Sequence, residues 1–212
     1  MKRLDNEKGS AAIFLLAMMV VSIVLIVIIV NIARVYVVKH QASTAAQLGA
    51  FAATSEILFA VEEAIKDFDK AMIDALEEDE TYDRLWDEVE KRKAAYKAKG
   101  YEEEEAYIKT LNEMLPSRLG NPILKEFFNT EFRLNPAFST KIYNTVREIV
   151  RENEGNEEHI EIVISKEKYR VEVKTDATYE TVASGKYIKS FSKDIPQVGY
   201  GPELSFLQYV LY

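Results

Sequence analysis

Residues 11–30 form a nearly unbroken apolar run in which Ser22 is the only polar side chain. At about 1.5 Å rise per residue, a helix of that length covers about 30 Å, the hydrocarbon thickness of a bilayer. The pattern predicts a membrane-spanning helix, because a soluble fold would have to enclose it on every side. No proline follows the run, and apolar residues recur at Leu48, Phe51, Leu58, Val61, Ile65, Phe68, Met72 and Leu76. These steps of three and four predict that the helix continues past the membrane with one buried face. Between the run and this stripe lies an alanine-rich segment, residues 42–53. Its small side chains admit another helix at close range, although alanine is also simply the best helix former. Gly49 lies within it and, at a cost of about 1 kcal/mol relative to alanine, is the expected place for a bend.

Further along, the acidic residues 77–80 are expected to end the first helix. Thr81 is placed to cap a second, with Leu85, Trp86, Val89 and Tyr96 on one side and Gly100 as its stop. A third helix is expected from about Tyr101, with Glu102 to Glu105 complementing the positive end of its dipole and Pro116 ending it. Residues 116–122 read as a loop, and Asn135-Pro136 opens a further helix to about Arg151. At residues 152–158 the period changes from helical to alternating. Ile160, Ile162 and Ile164, then Tyr169, Val171 and Val173, predict two half-buried strands joined as a hairpin through residues 165–168. Residues 177–182 and 187–195, separated by Ser184-Gly185, predict two more. Residues 204–212 are apolar but too short to span a bilayer, and read as a packed final strand or helical turn. The fold class is therefore α+β: a long N-terminal transmembrane-to-amphipathic helix, a helical middle and a C-terminal antiparallel β-sheet.

Charge gives this layout a direction. Lys2, Arg3 and Lys8 precede the run, and Arg34 and Lys39 follow it, a narrow basic excess on the N-terminal side. With a flank this short, the expected topology is single-pass in the cytoplasmic membrane, N-terminus in the cytoplasm and the bulk of the chain extracytoplasmic. A cleaved secretory signal would carry a shorter apolar region with a close small-x-small site, for which only Asn31-Ile-Ala33 is available, so an anchor is the better reading. The chain then divides into a cytoplasmic tail (residues 1–9), a transmembrane helix and membrane exit (10–38), an amphipathic continuation (39–76), a helical extracytoplasmic region (77–154) and a β-sheet region (155–212). Of 27 basic and 35 acidic residues, five and two lie before residue 40, leaving 22 against 33 and a net charge of about −11 for the remainder. That balance argues against nucleic acid as a partner, since phosphate recognition needs clustered Lys and Arg. The absence of cysteine removes disulfides, thiolate metal sites and thiol nucleophiles.

Little in the chain suggests chemistry. The acidic runs lack the alternating Asp/Asn ligands and central glycine of a compact calcium loop. His40 and His159 are the two imidazoles, and neither has a partner at metal-ligand spacing. No nucleophile elbow or phosphate-cradling glycine loop is present, so no catalytic residue, metal or cofactor is expected. Trp86, on the apolar side of its helix, reads as core.

Taken together, Glu7-Lys-Gly-Ser-Ala-Ala-Ile-Phe14 before the run and residues 31–50 after it (Asn-Ile-Ala-Arg-Val-Tyr-Val-Val-Lys-His-Gln-Ala-Ser-Thr-Ala-Ala-Gln-Leu-Gly-Ala) resemble the TadE/TadG-like proteins of Flp (tight adherence) pilus assembly, within the type IV pilin-like plan. The resemblance covers about the first quarter of the chain. It implies a non-catalytic structural or accessory subunit, minor pilin or pseudopilin-like, of a pilus or related secretion apparatus. Its partners would be the membrane and other subunits of that apparatus, in a homo- or hetero-oligomer. It implies contact with a partner helix through Asn31, Arg34, Tyr36, Ala45, Ala46 and Gly49, and makes Gly9-Ser10 a candidate prepilin-type cleavage site. Processed pilins carry glutamate at the fifth mature position, and cleavage after Gly9 would put Phe14 there. An acidic group inside the bilayer is kept to pair with a neighbouring amino terminus, so its absence points to a TadG-type protein with an intact N-terminus. A bitopic sensor with an extracytoplasmic ligand-binding domain is the alternative, and it would need a signalling partner on the cytoplasmic side.

Overall fold

The structure is a computed structural model in which residues 7–75, 82–181 and 191–211 are described. Helix α1 runs unbroken over Glu7–Asp74. Helices α2 (Leu85–Ala98), α3 (Glu103–Arg118) and α4 (Pro122–Asn129) follow, then a π-helical turn (Thr130–Leu134) and α5 (Pro136–Glu152). Strands β1 (Glu161–Ile164), β2 (Val171–Glu180) and β3 (Ser192–Tyr200) and a short helix α6 (Leu207–Leu211) complete the chain. The strands form one antiparallel sheet in the order β1-β2-β3. The α+β class is as expected: a long N-terminal helix, a helical middle and a C-terminal antiparallel sheet.

The helix boundaries follow local chemistry. Asn121 and Asn135 each precede a proline and accept a hydrogen bond from a backbone N–H two residues on, Ile123 at 2.9 Å and Ala137 at 3.0 Å. This is the pairing of N-cap and first-turn proline that starts a helix cleanly. Gly100, with φ of 95°, follows α2 and donates to the carbonyl of Lys97, a conformation that favours glycine. Two expectations about helix ends need correction. Pro116 lies inside α3, which runs two residues further, because a proline in the last turn removes a single ladder bond while Leu119 N–H still donates to Leu115 C=O at 2.8 Å. Thr81 and the acidic residues 77–80 lie outside the described residues, and the N-cap position of α2 belongs to Arg84, which makes no side-chain cap. The cap comes instead from α1. Buried Asp69 accepts from Leu85 N–H, Trp86 N–H and the Tyr82 hydroxyl at 2.8–2.9 Å.

Between β1 and β2 the chain reverses with Tyr169 at φ of 47°, its carbonyl held by Leu204 N–H at 2.8 Å. Val171, Val173, Thr175, Ala177 and Tyr179 all point inward from β2 and are buried. Two expected strands are therefore one, because Thr175 keeps the alternation in phase while its hydroxyl donates to the Asn156 carbonyl at 3.1 Å. The last expected strand is displaced toward the C-terminus. β3 continues through Pro196 to Tyr200, which an edge position allows, since an edge strand can lack one donor. The expectations for residues 182 and 187–190 lie outside the described residues. The tail forms helix α6, placing Phe206, Leu207 and Val210 in the same apolar cluster as Leu111, Leu115, Leu124 and Phe128 from the helices and Val171 and Val173 from the sheet. Helices and sheet thus share one core built along α1.

Candidate interaction surface along the long helix

Helix α1 has two stretches of opposite character. From residue 11 to 30 every side chain is exposed, Ile13 at 72% and Ile29 at 64%. The helix is long and apolar enough there to cross a membrane. From Ala42 onward one face is buried, and its composition differs from the expected stripe. Leu58, Val61, Ile65 and Phe68 are buried as anticipated, but Leu48 and Phe51 are 40% and 45% exposed. Their place is taken by Ala42, Ala45, Ala46, Ala50 and Ala53, all fully buried.

The reason lies in what covers that face. Strand β3 crosses it so closely that a Cβ on Gly199 would collide with the carbonyl of Ala46, and one on Gly201 would collide with the Thr54 hydroxyl. A strand that meets a helix backbone to backbone excludes large side chains from both elements. Gly155 repeats the device, since a Cβ there would stand 2.8 Å from the methyl of Ala45. Gly49 faces Val146 and Val173, each 3.3 Å from where its Cβ would stand. The helix is continuous through Gly49, and close packing accounts for the glycine better than the expected bend. Alternation and helical period could not reveal this seat. The available signal was the recurrence of glycine at 199 and 201 against an alanine face.

The exit segment is drawn into the same arrangement. β2 runs back along α1 toward the apolar run, and at its end the Tyr179 hydroxyl donates to Asn31 Oδ1 at 3.1 Å while the Arg34 guanidinium donates to the Glu180 carbonyl at 3.3 Å. Asn31 also donates to Val27 C=O within the helix at 2.9 Å. Of the six residues expected to face a partner helix, the structure gives Asn31 and Arg34 contacts to β2, seats Ala45, Ala46 and Gly49 against the chain's own sheet and α5, and leaves Tyr36 70% exposed. Gly9 and Ser10 lie in the first turns of α1.

The uncovered side of α1 carries its own pattern. Val37, Leu48, Phe51 and Phe59 are 56%, 40%, 45% and 51% exposed. At about 100° per residue they fall within about 40° of one line down the helix. This apolar line continues the exposed run outside its span. Beside it opens a groove between Phe51 on α1, Ile108 on α3 and Pro202, rimmed by Glu102, Glu104 and Glu105. The Lys141 ammonium stands 4.4 Å above the Phe59 ring, covering the far end of the line.

Elsewhere the electrostatics serve the fold. Burial, reinforced by the Asp69 carboxylate, pushes the Tyr82 phenol well above its ordinary pKa, and burial does the same to Tyr107. The arrangement offers surfaces for association. Searches of curated proteins and of solved structures returned no match. Residues 9–56, which hold the apolar run, the exit segment and the alanine face, match the family model described as Putative Flp pilus-assembly TadE/G-like, and over that segment the chain is similar to this family.

Proposed function

We propose that this chain is a non-catalytic, membrane-anchored accessory subunit of Flp-type pilus assembly, minor pilin or pseudopilin-like, that works by helix association and docking of its packed domain. The observation that supports the reading is the exposed apolar line Val37, Leu48 and Phe51 on the TadE/G-like helix, each at least 40% exposed. Apolar helix surface left in water beside a membrane run favours a second helix. In this reading the N-terminus is cytoplasmic, the domain is extracytoplasmic, and Gly9-Ser10 is retained rather than cut. The partner-facing set shifts from the alanines to Tyr36 and the exposed line.

Mild-detergent co-purification from the native host tests this. The wild type should recover pilus ATPase, platform or pilin proteins, and Leu48→Glu with Phe51→Glu should lose them while membrane insertion is unchanged. Equal recovery with the double variant would overturn the assignment of the surface, and recovery of a kinase or transporter in place of pilus components would overturn the function. The intact mass of the host-purified protein should include residues before Gly9; a mass beginning at Ser10 would refute retention.

A further inference from the structure

The outer face of the sheet, turned away from α1, brings together side chains that lie far apart in the sequence. His159 ends the turn before β1, Asp176 lies in the middle of β2, and Asp194 lies in β3. One donor atom from each falls within 4.8 Å of the others. His159 Nδ1 is 2.9 Å from Asp176 Oδ2. Asp176 pairs with Pro196 and Thr178 with Asp194, so the two carboxylates stand diagonally on one face of neighbouring strands. Among the described residues no Lys or Arg forms an ion pair with either, and the nearest cationic side chain on the same strand, Lys174, is engaged with Glu161 at 3.1 Å.

The central carboxylate is the unusual member. The Asp176 side chain is only 13% exposed, and its Oδ1 is buried without a hydrogen-bond partner among the described residues. A buried carboxylate oxygen left unpaired is costly and calls for a cation. The Asn156 side-chain amide lies 3.2 Å from His159 Nδ1, so this ring nitrogen has polar groups of the turn and of β2 within hydrogen-bond reach.

We infer that His159, Asp176 and Asp194 form a site for a divalent transition-metal ion of the Zn²⁺ or Mn²⁺ class. The imidazole disfavours Ca²⁺ and Mg²⁺, which prefer oxygen ligands alone, whereas one nitrogen with two carboxylates suits borderline ions. Adjacent ligands on a six-coordinate ion with bonds of about 2.1 Å stand about 3 Å apart, matching the separation of His159 Nδ1 and Asp176 Oδ2. Asp194 is exposed and completes the set, its Oδ1 accepting from the Thr178 hydroxyl at 2.7 Å. The remaining positions are open to water. The bound ion clips the turn before β1 and the edge strand β3 to β2, where the Asn156 N–H already donates to the Asp176 carbonyl at 2.7 Å.

The test is titration calorimetry on tag-free full-length protein in detergent, stripped with chelator and titrated with ZnCl₂ or MnCl₂ near neutral pH. The expected result is saturation at about one ion per chain, with affinity lowered at least about tenfold by either His159→Gln or Asp194→Asn. Both positions are exposed, so the variants should retain the wild-type circular dichroism. His40→Gln should bind like the wild type, and metal should raise the melting temperature of the wild type but not of the site variants. Absence of binding up to millimolar metal, or affinity unaffected by both site substitutions, would overturn the site.

Discussion

The two stretches of α1 share one backbone and opposite rules for side chains. In residues 11–30 the helix presents branched aliphatics on all sides and keeps none buried, whereas in residues 42–54 it hides alanines, Gly49 and Thr54 and leaves Leu48 and Phe51 outside. Hydrophobicity alone would rank the first stretch as core and the second as surface. Size decides otherwise in the second, because the elements laid on it come within backbone contact. The difference teaches that a hydrophobic surface is buried by a bilayer without needing to fit it, while burial by a strand demands that side chains be small enough to let the strand approach.

The sharpest way to break this contrast is to add volume at the seat. Gly199→Ala should cost about 3 kcal/mol, because the new methyl meets the helix backbone rather than a side chain that can move. Urea unfolding in detergent, followed by Trp86 fluorescence, measures it, and an unchanged midpoint would show that the backbones yield. Charge in the other stretch should act differently. Val24→Arg should disfavour insertion by about 2.5 kcal/mol, read as loss of carbonate-resistant membrane protein, with the urea midpoint of the packed domain unaltered. Should that midpoint fall as well, the two stretches are not independent.

A smaller effect is expected where α1 reaches its far end. Asp69→Ala removes the carboxylate that caps α2 and should lower stability by about 2 kcal/mol, with a loss of far-ultraviolet helix signal. The smallest change has the opposite sign. Tyr107 Oη is buried without a hydrogen-bond partner among the described residues, so Tyr107→Phe should gain up to about 1 kcal/mol while keeping the edge-to-face contact with Trp86. Burial raises the Tyr107 pKa, so its neutral form is fully stabilising below the unfolded value of about 10 and that contribution is lost as pH rises beyond it. The wild type should therefore weaken more steeply above about pH 10 than the Phe variant, in melting curves taken across that range.

Much of this architecture was legible in the residues. The apolar run, the Asn135-Pro136 helix start, the Gly100 stop and the change to alternating strands are local patterns, and each appears where its residues put it, whereas α4, opened by Asn121-Pro122, falls where a loop was expected to end. What could not be read was non-local. Asp69 caps a helix that begins sixteen residues later, so nothing near Leu85 announced the partner. Gly199 explains Ala46 across the whole fold, and the helical period therefore chose Leu48 and Phe51 as buried when the alanines were. His159 and Asp176 likewise meet only because the turn before β1 lies beside β2. Of the residues expected to face a partner helix, Asn31 and Arg34 meet β2 and the alanines meet the sheet and α5, contacts made across the fold that local pattern cannot show.

The contacts from Tyr179 and Glu180 to Asn31 and Arg34 set more than the height of the sheet. They begin at the first residue after the apolar run, and the alanine seat continues them along a helix with no break, so there is no swivel between the stretch a bilayer would hold and the packed domain. The azimuth of the domain is then the azimuth of the helix. A neighbour that grips one face of α1 among the lipids thereby selects which side of the domain points toward it, and a rotation of the helix by one residue's worth of angle would carry the sheet, the acidic groove and the His159 face around with it as a single rotor.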